Sequence, residues 1–223
     1  MASRVADRLL TLKSELPAGI ELVAVSKFQP LDRIREAYEA GQRIFGESRV
    51  QELLDKIPQL PADITWHFIG HLQTNKVRQL IGHTALIESV DSERLIDIID
   101  TESRRKDLLS KILMQVHVAA EETKFGFSRE EIISYFKERK FESLTNTHIC
   151  GIMAMATNTE DETTIRRDFA ETASIFREIK EITGNSLRGF ETLSMGMSGD
   201  WPLAVEEGAT MIRVGSSIFG ARY

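Results

Sequence analysis

A chain of 223 residues is long enough to bury one large α/β core. Its net charge of -6 argues against broad binding to nucleic acid or acidic membranes, and 28% charged beside 42% hydrophobic residues is the balance of a soluble globular protein. Cys150 is the single cysteine, which excludes an internal disulfide and any cysteine-based metal cluster.

From the start of the chain, Val5, Leu9, Leu12 and Leu16 recur at helical spacing and predict a helix over Ala2–Leu16, broken by Pro17-Ala18-Gly19. Strand-like apolar runs follow at Glu21–Ser26, Arg43–Gly46, Thr65–Ile69, Ala85–Val90, Ile112–Val118, Thr147–Ile152, Gly189–Leu193 and Thr210–Val214. Helical patterns fill the gaps at Leu31–Ala40, Val50–Ile57, Asn75–Ile81, Glu93–Arg105, Arg129–Lys140, Glu160–Ile182 and Pro202–Glu207. Asp91 and Ser128 stand where N-caps are wanted, and Gly41 and Gly184 where helices should end.

Eight short strands, apolar on both faces and alternating with helices, predict a single (β/α)8 TIM barrel with an extra N-terminal helix, one domain over residues 1–223. The competing open doubly wound sheet wants a glycine-rich turn after the first strand, where this chain has Ser26-Lys27-Phe28-Gln29-Pro30. No run of about 18 apolar residues predicts a membrane span. The charged N-terminus lacks the apolar stretch of a signal peptide, so the expected location is cytoplasmic. A barrel needs no partner to bury its core, which predicts a monomer.

Active sites of such barrels lie at the carboxyl ends of the strands. Strand 1 ends in Lys27, a charge closing an apolar run, where burial disfavours the ammonium form and favours an amine nucleophile. The bland alternative is a lysine pointing to water. After strand 7 comes the hydroxyl of Ser194. After strand 8, Gly215-Ser216-Ser217 offers backbone N–H groups with no bulky side chain in the way, the usual phosphate cup of this fold. Closure makes strands 8 and 1 neighbours, so Lys27 and the Gly215-Ser216 cup share one rim. An amine beside a phosphate cup points to a phosphorylated aldehyde, with pyridoxal 5′-phosphate (PLP) the leading candidate. Arg213 shares the strand parity of Gly215, faces the mouth, and is the candidate donor to the pyridine nitrogen. Arginine does not give up its proton, so the ring nitrogen would stay unprotonated and the cofactor a weaker electron sink. Met155 and Met195 are candidate ring contacts, though methionines more often fill gaps. His67 and His71 are four apart but straddle a strand end, so no metal is expected.

These residues resemble the pyridoxal-phosphate homeostasis protein family of the YggS/PROSC type. The resemblance rests on blocks along the whole chain: Leu22–Lys27, Phe45–Glu52, Trp66–Lys76, Lys124-Phe125-Gly126, Gly151–Met155, Leu193–Ser198 and Ile212–Arg222. It implies a barrel like the N-terminal domain of alanine racemase and PLP held as a Schiff base on Lys27. It also implies a phosphate site at Ser194, Gly215 and Ser216, with Arg213 at the ring nitrogen. The implied role is vitamin B6 homeostasis and amino-acid and keto-acid balance without assigned catalysis, with PLP-dependent apo-enzymes as possible recipients. Ser48 departs from the family's usual asparagine and is too short to reach the ring oxygen as an amide does, except through a water. Two enzymatic readings compete. A PLP-dependent amino-acid racemase needs a second acid/base opposite Lys27, and none of Tyr38, Tyr135 and Tyr223 lies at a strand end. A Schiff-base aldolase would trap on Lys27 only when substrate is present.

Overall fold

The computed structural model describes residues 4–120 and 125–220. The expected helix start at Ala2, Lys124 of the block Lys124-Phe125-Gly126, and Ala221, Arg222 and Tyr223 lie outside the described residues. Eight strands, β1 (Glu21–Val25), β2 (Ile44–Glu47), β3 (Thr65–Phe68), β4 (Leu86–Val90), β5 (Ser110–Val116), β6 (Thr147–Ala154), β7 (Thr192–Ser194) and β8 (Met211–Val214), form a closed barrel in chain order. Every pairing is parallel, and Val23 opposite Arg213 and Ala24 opposite Val214 close β1 onto β8. That closure excludes the open doubly wound sheet.

Around it run α1 (Arg4–Glu15), α2 (Leu31–Glu39), α3 (Val50–Lys56), α4 (Val77–Leu80), α5 (Glu93–Arg105), α6 (Arg129–Lys137), α7 (Glu162–Thr183), α8 (Trp201–Glu206) and α9 (Ser216–Phe219). The extra helix α1 packs on α2 and on α9, the short helix that follows β8. Ser128 caps α6 as expected: its hydroxyl accepts from Glu131 N at 3.1 Å, and the Glu131 carboxylate accepts from Ser128 N at 2.8 Å. Asp91 does not cap α5. Ser92 takes that position without a side-chain bond, and Asp91 Oδ2 instead meets His71 Nδ1 at 2.9 Å. Helix α6 stops three residues early because Arg139 turns left-handed at φ 56°. Strand β7 starts late because Gly189, at φ 74°, cannot belong to a strand.

Alternation along the strands sorts side chains into two layers. Leu22, Ala24 and Phe45 face outward and join the large core between barrel and helices. Val23, Leu86, Leu113, Met153 and Met211 form a separate apolar cluster that fills the lower interior. Cys150 packs at its edge, its thiol pushed up by burial, which suits an unreactive core residue. Two residues further along three of these strands, on the same face, the interior turns polar: Leu86 gives way to Glu88, Leu113 to Gln115 and Met211 to Arg213. The polar layer is the floor of the barrel mouth.

Candidate functional site

A cavity of about 360 Å³ opens above that floor at the carboxyl ends of the strands, between β1, β6, β7 and β8. Lys27, Arg213, Gly215, Ser216 and Met155 line it, together with Val25, Gln29, Ile69 and Ser198. It has the size of a small-molecule site and combines apolar walls with few convergent polar groups. A larger hollow of about 670 Å³ adjoins it past Met155 and Met197. That hollow is lined by Glu160, Glu162 and Asp200 and by no lysine or arginine, which makes it unsuited to a phosphate.

Lys27 follows β1 and is half-buried. Both of its neighbours are clamped from the outer side of the barrel wall. The Ser26 hydroxyl donates to Glu47 Oε1 at 2.6 Å, and Lys56 Nζ donates to Ser26 O at 2.9 Å and to Glu47 Oε1 at 2.8 Å. The same ammonium reaches Glu52 Oε1 at 2.7 Å, which in turn accepts from Phe28 N at 2.5 Å. Phe28 sits at φ 64°, an uncommon conformation for a side chain of that size, and Arg49 stacks over its ring at 4.7 Å. The clamp and the left-handed residue together turn the chain sharply after Lys27. Desolvation pushes the Glu47 carboxyl up against the opposing pull of Lys56 and Ser26.

Arg213 is the floor. Its Nη1 donates to Ser194 Oγ at 2.5 Å and its Nη2 to the Ala154 carbonyl at 2.9 Å. Ser194 donates to Glu88 Oε2 at 2.6 Å, and Glu88 Oε1 meets His67 Nδ1 at 2.8 Å. Burial lowers the guanidinium from its ordinary value, with Glu88 and Asp200 opposing. For Glu88 burial pushes upward, but the hydrogen bond with His67, the charged partners and the Ser194 hydroxyl outweigh it and hold the carboxyl below the usual range.

Ser194 is therefore not at the rim. It is wholly buried, and its hydroxyl is held between Glu88 and Arg213. The serine that reaches the cup is Ser198, beyond a turn at Gly196 (φ 93°) where an added Cβ would lie 2.7 Å from Ala204 Cβ. Ser198 Oγ accepts from Gly215 N at 3.1 Å and from Ser217 N at 3.4 Å. Met195 is also off the cavity, fully buried in the outer core. Ser48 does not line it either; its backbone packs against Gly70, where a Cβ would fall 2.2 Å from Ser48 O. Of the tyrosines, Tyr38 donates to Asp63 at 2.6 Å on the outer surface and Tyr135 is buried in α6. His67 and His71 part company, one to Glu88 and the other to Asp91.

Sequence reasoning missed Ser198, Glu88 and the Glu47–Lys56 clamp. The signals were present: an acid inside the apolar run Leu86-Ile87-Glu88-Ser89-Val90, and a lysine, Lys56, on the buried face of an amphipathic helix. A buried charge has to be paired, so each announces a partner.

The family model for the alanine racemase N-terminal domain matches residues 2–223, which defines the class of barrel. Alanine racemase from E. faecalis superposes with a TM-score of 0.73 over 98% of this chain and 58% of its own, but at 15% identity this likeness concerns the fold alone. The pyridoxal phosphate homeostasis protein of Aquifex aeolicus is 37% identical over 228 residues, covering 99% of this chain and 96% of that relative. PipY of Synechococcus elongatus, whose structure was solved with PLP bound, is 38% identical with a TM-score of 0.87, covering 97% of this chain and all of PipY. The chain belongs to the pyridoxal phosphate homeostasis protein family.

Proposed function

We propose that this protein binds PLP at the barrel mouth and acts in vitamin B6 homeostasis as a carrier rather than as a catalyst. Lys27 would hold the cofactor as a Schiff base, its amine nitrogen forming the C=N bond as the aldehyde oxygen leaves as water. When bound, the cofactor supplies an electrophilic carbonyl and a conjugated ring. The single observation that carries the reading is one cavity lined by Lys27, Arg213 and the Gly215-Ser216 cup. That donor set fits the group: an amine for the aldehyde, a guanidinium for the ring nitrogen, and backbone N–H groups of Gly215 and Ser217 for the phosphate. Ser216 and Ser198 complete the cup, Met155 flanks the ring, and Ser194 contributes through Arg213.

Arg213 keeps its proton and donates, so the ring nitrogen stays a hydrogen-bond acceptor, which weakens carbanion chemistry and suits storage. Among the described residues no tyrosine lines the cavity to serve as the second base of racemization. The same reading has the chain acting as one domain and as a cytoplasmic monomer, and PLP-dependent apo-enzymes as its recipients.

The test is the absorption spectrum of purified protein with PLP, before and after borohydride. The expected result is a visible band bleached by reduction, with the adduct mapped to Lys27. Lys27→Ala should lose the adduct and keep weaker, non-covalent binding. A protein that stays colourless with added PLP defeats the reading.

A further inference from the structure

Glu88 is wholly buried in β4 and does not line the cavity, yet it has three partners beneath it. One carboxylate oxygen meets His67, the other accepts from Ser194, and Arg213 Nη1 lies 3.8 Å from it. Two of the five guanidinium donors of Arg213 are committed to Ser194 and Ala154, and the residue lines the cavity. A guanidinium buried to this degree requires a nearby counter-charge. Glu88 Oε2 is the carboxylate oxygen that comes within 4 Å of it, and Asp200 adds a second, weaker Coulombic pull. The Ser194 hydroxyl donates to Glu88, which leaves its oxygen to accept from Arg213.

We propose that Glu88 is a positioning residue for the ligand of this cavity. Acting through Ser194, it fixes the orientation of Arg213 and sets how much positive field the guanidinium presents to the ring nitrogen. The inference rests on the reading that PLP binds here, and it assigns to a strand-buried acid the tuning of that ligand's electronic state. No bond is made or broken: Glu88 orients one donor and neutralises part of one charge.

The test has two arms on the full chain. Without PLP, NMR of guanidinium N–H signals in arginine-labelled protein should show a resolved, slowly exchanging Arg213 set, assigned by its loss in Arg213→Met. Glu88→Gln and Ser194→Ala should each broaden or remove it, because the neutral amide is a weaker acceptor and carries no charge to face Arg213, or because the relay is cut. With PLP, both variants should move the visible maximum and raise the PLP dissociation constant by about tenfold, the scale of one charge-assisted hydrogen bond. The double variant should go little further than either single one, as members of one network do. Ser128→Ala, which removes the cap of α6 and does not line the cavity, should destabilise the fold and leave band and signals in place. If Glu88→Gln does not fold, Ser194→Ala alone decides, since it deletes one hydroxyl. Unchanged Arg213 signals and an unchanged band in Ser194→Ala and Glu88→Gln would overturn the proposal. If the wild type takes no colour with PLP, the functional reading fails, and the first arm still decides whether Glu88 holds Arg213.

Discussion

Two buried charge networks sit on opposite faces of the same barrel wall. The outer one joins Ser26, Glu47, Lys56 and Glu52 behind β1. The inner one joins His67, Glu88, Ser194 and Arg213 beneath the cavity. Each is built around a fully buried glutamate, yet the two acids shift in opposite directions. Glu88 has both oxygens engaged, and its partners win over burial. Glu47 has Oε2 without a hydrogen-bond partner among the described residues, and burial wins. Hydrogen bonds and charged partners together, set against burial, give the two acids their opposite directions. The outer network fixes the backbone on both sides of Lys27, whereas the inner one aims a charge at the cavity.

The largest effect should come from breaking the outer network. Lys56→Met leaves Glu47 buried without its cation and should cost about 3–5 kcal/mol in urea unfolding. Much of that should return in the Lys56→Met, Glu47→Gln pair, because the uncompensated charge is gone. Arg213→Met breaks the inner network, where Glu88 keeps His67 and Ser194, and should cost less, about 1–3 kcal/mol. Its effect on PLP affinity, read by titration, should instead exceed that of Lys56→Met. If the two variants rank the other way in both measurements, the division of labour between the faces is wrong.

The two acids also separate by pH. A raised native-state value means that native protein holds the Glu47 proton more tightly than the unfolded chain, so this group adds stability at low pH that is lost as pH rises through its native value. A lowered value means the reverse for Glu88, whose contribution is present above the unfolded carboxylate range and lost as pH falls through its native value. Unfolding free energy measured against pH should therefore flatten in opposite senses for Glu47→Gln and Glu88→Gln. The smallest effect belongs to Phe28→Gly. Relief of a left-handed conformation gains about 1 kcal/mol, and loss of the Arg49 stack costs about 0.5–1 kcal/mol. Thermal unfolding should scarcely move.

The barrel was legible because each strand carries an apolar run of the right length and a break after it, and because Lys27 ends its run so abruptly. That Gly215 and Ser216 share a rim with Lys27 was legible from closure of the barrel, which puts β8 beside β1. Ser194 misled because it is the first hydroxyl after an apolar run. Spacing along a sequence does not tell that a strand ends at that residue with its side chain turned inward, toward an acid from a strand 106 positions away in the chain. Met195 misled for the same reason with opposite parity: one residue further on, the side chain faces the helices. Ser198 needed the Gly196 turn to be known first.

An anion arriving at the N–H groups of Gly215 and Ser217 meets a hydroxyl already seated there, that of Ser198. Its arrival is an exchange of hydrogen bonds, and only the difference between the two sets holds it in place. Departure is eased by the same substitution, since Ser198 stands ready to satisfy the donors as the anion leaves. On the proposed reading, such a cradle is a berth with a standing tenant, whose donors trade one partner for another as the ligand comes and goes.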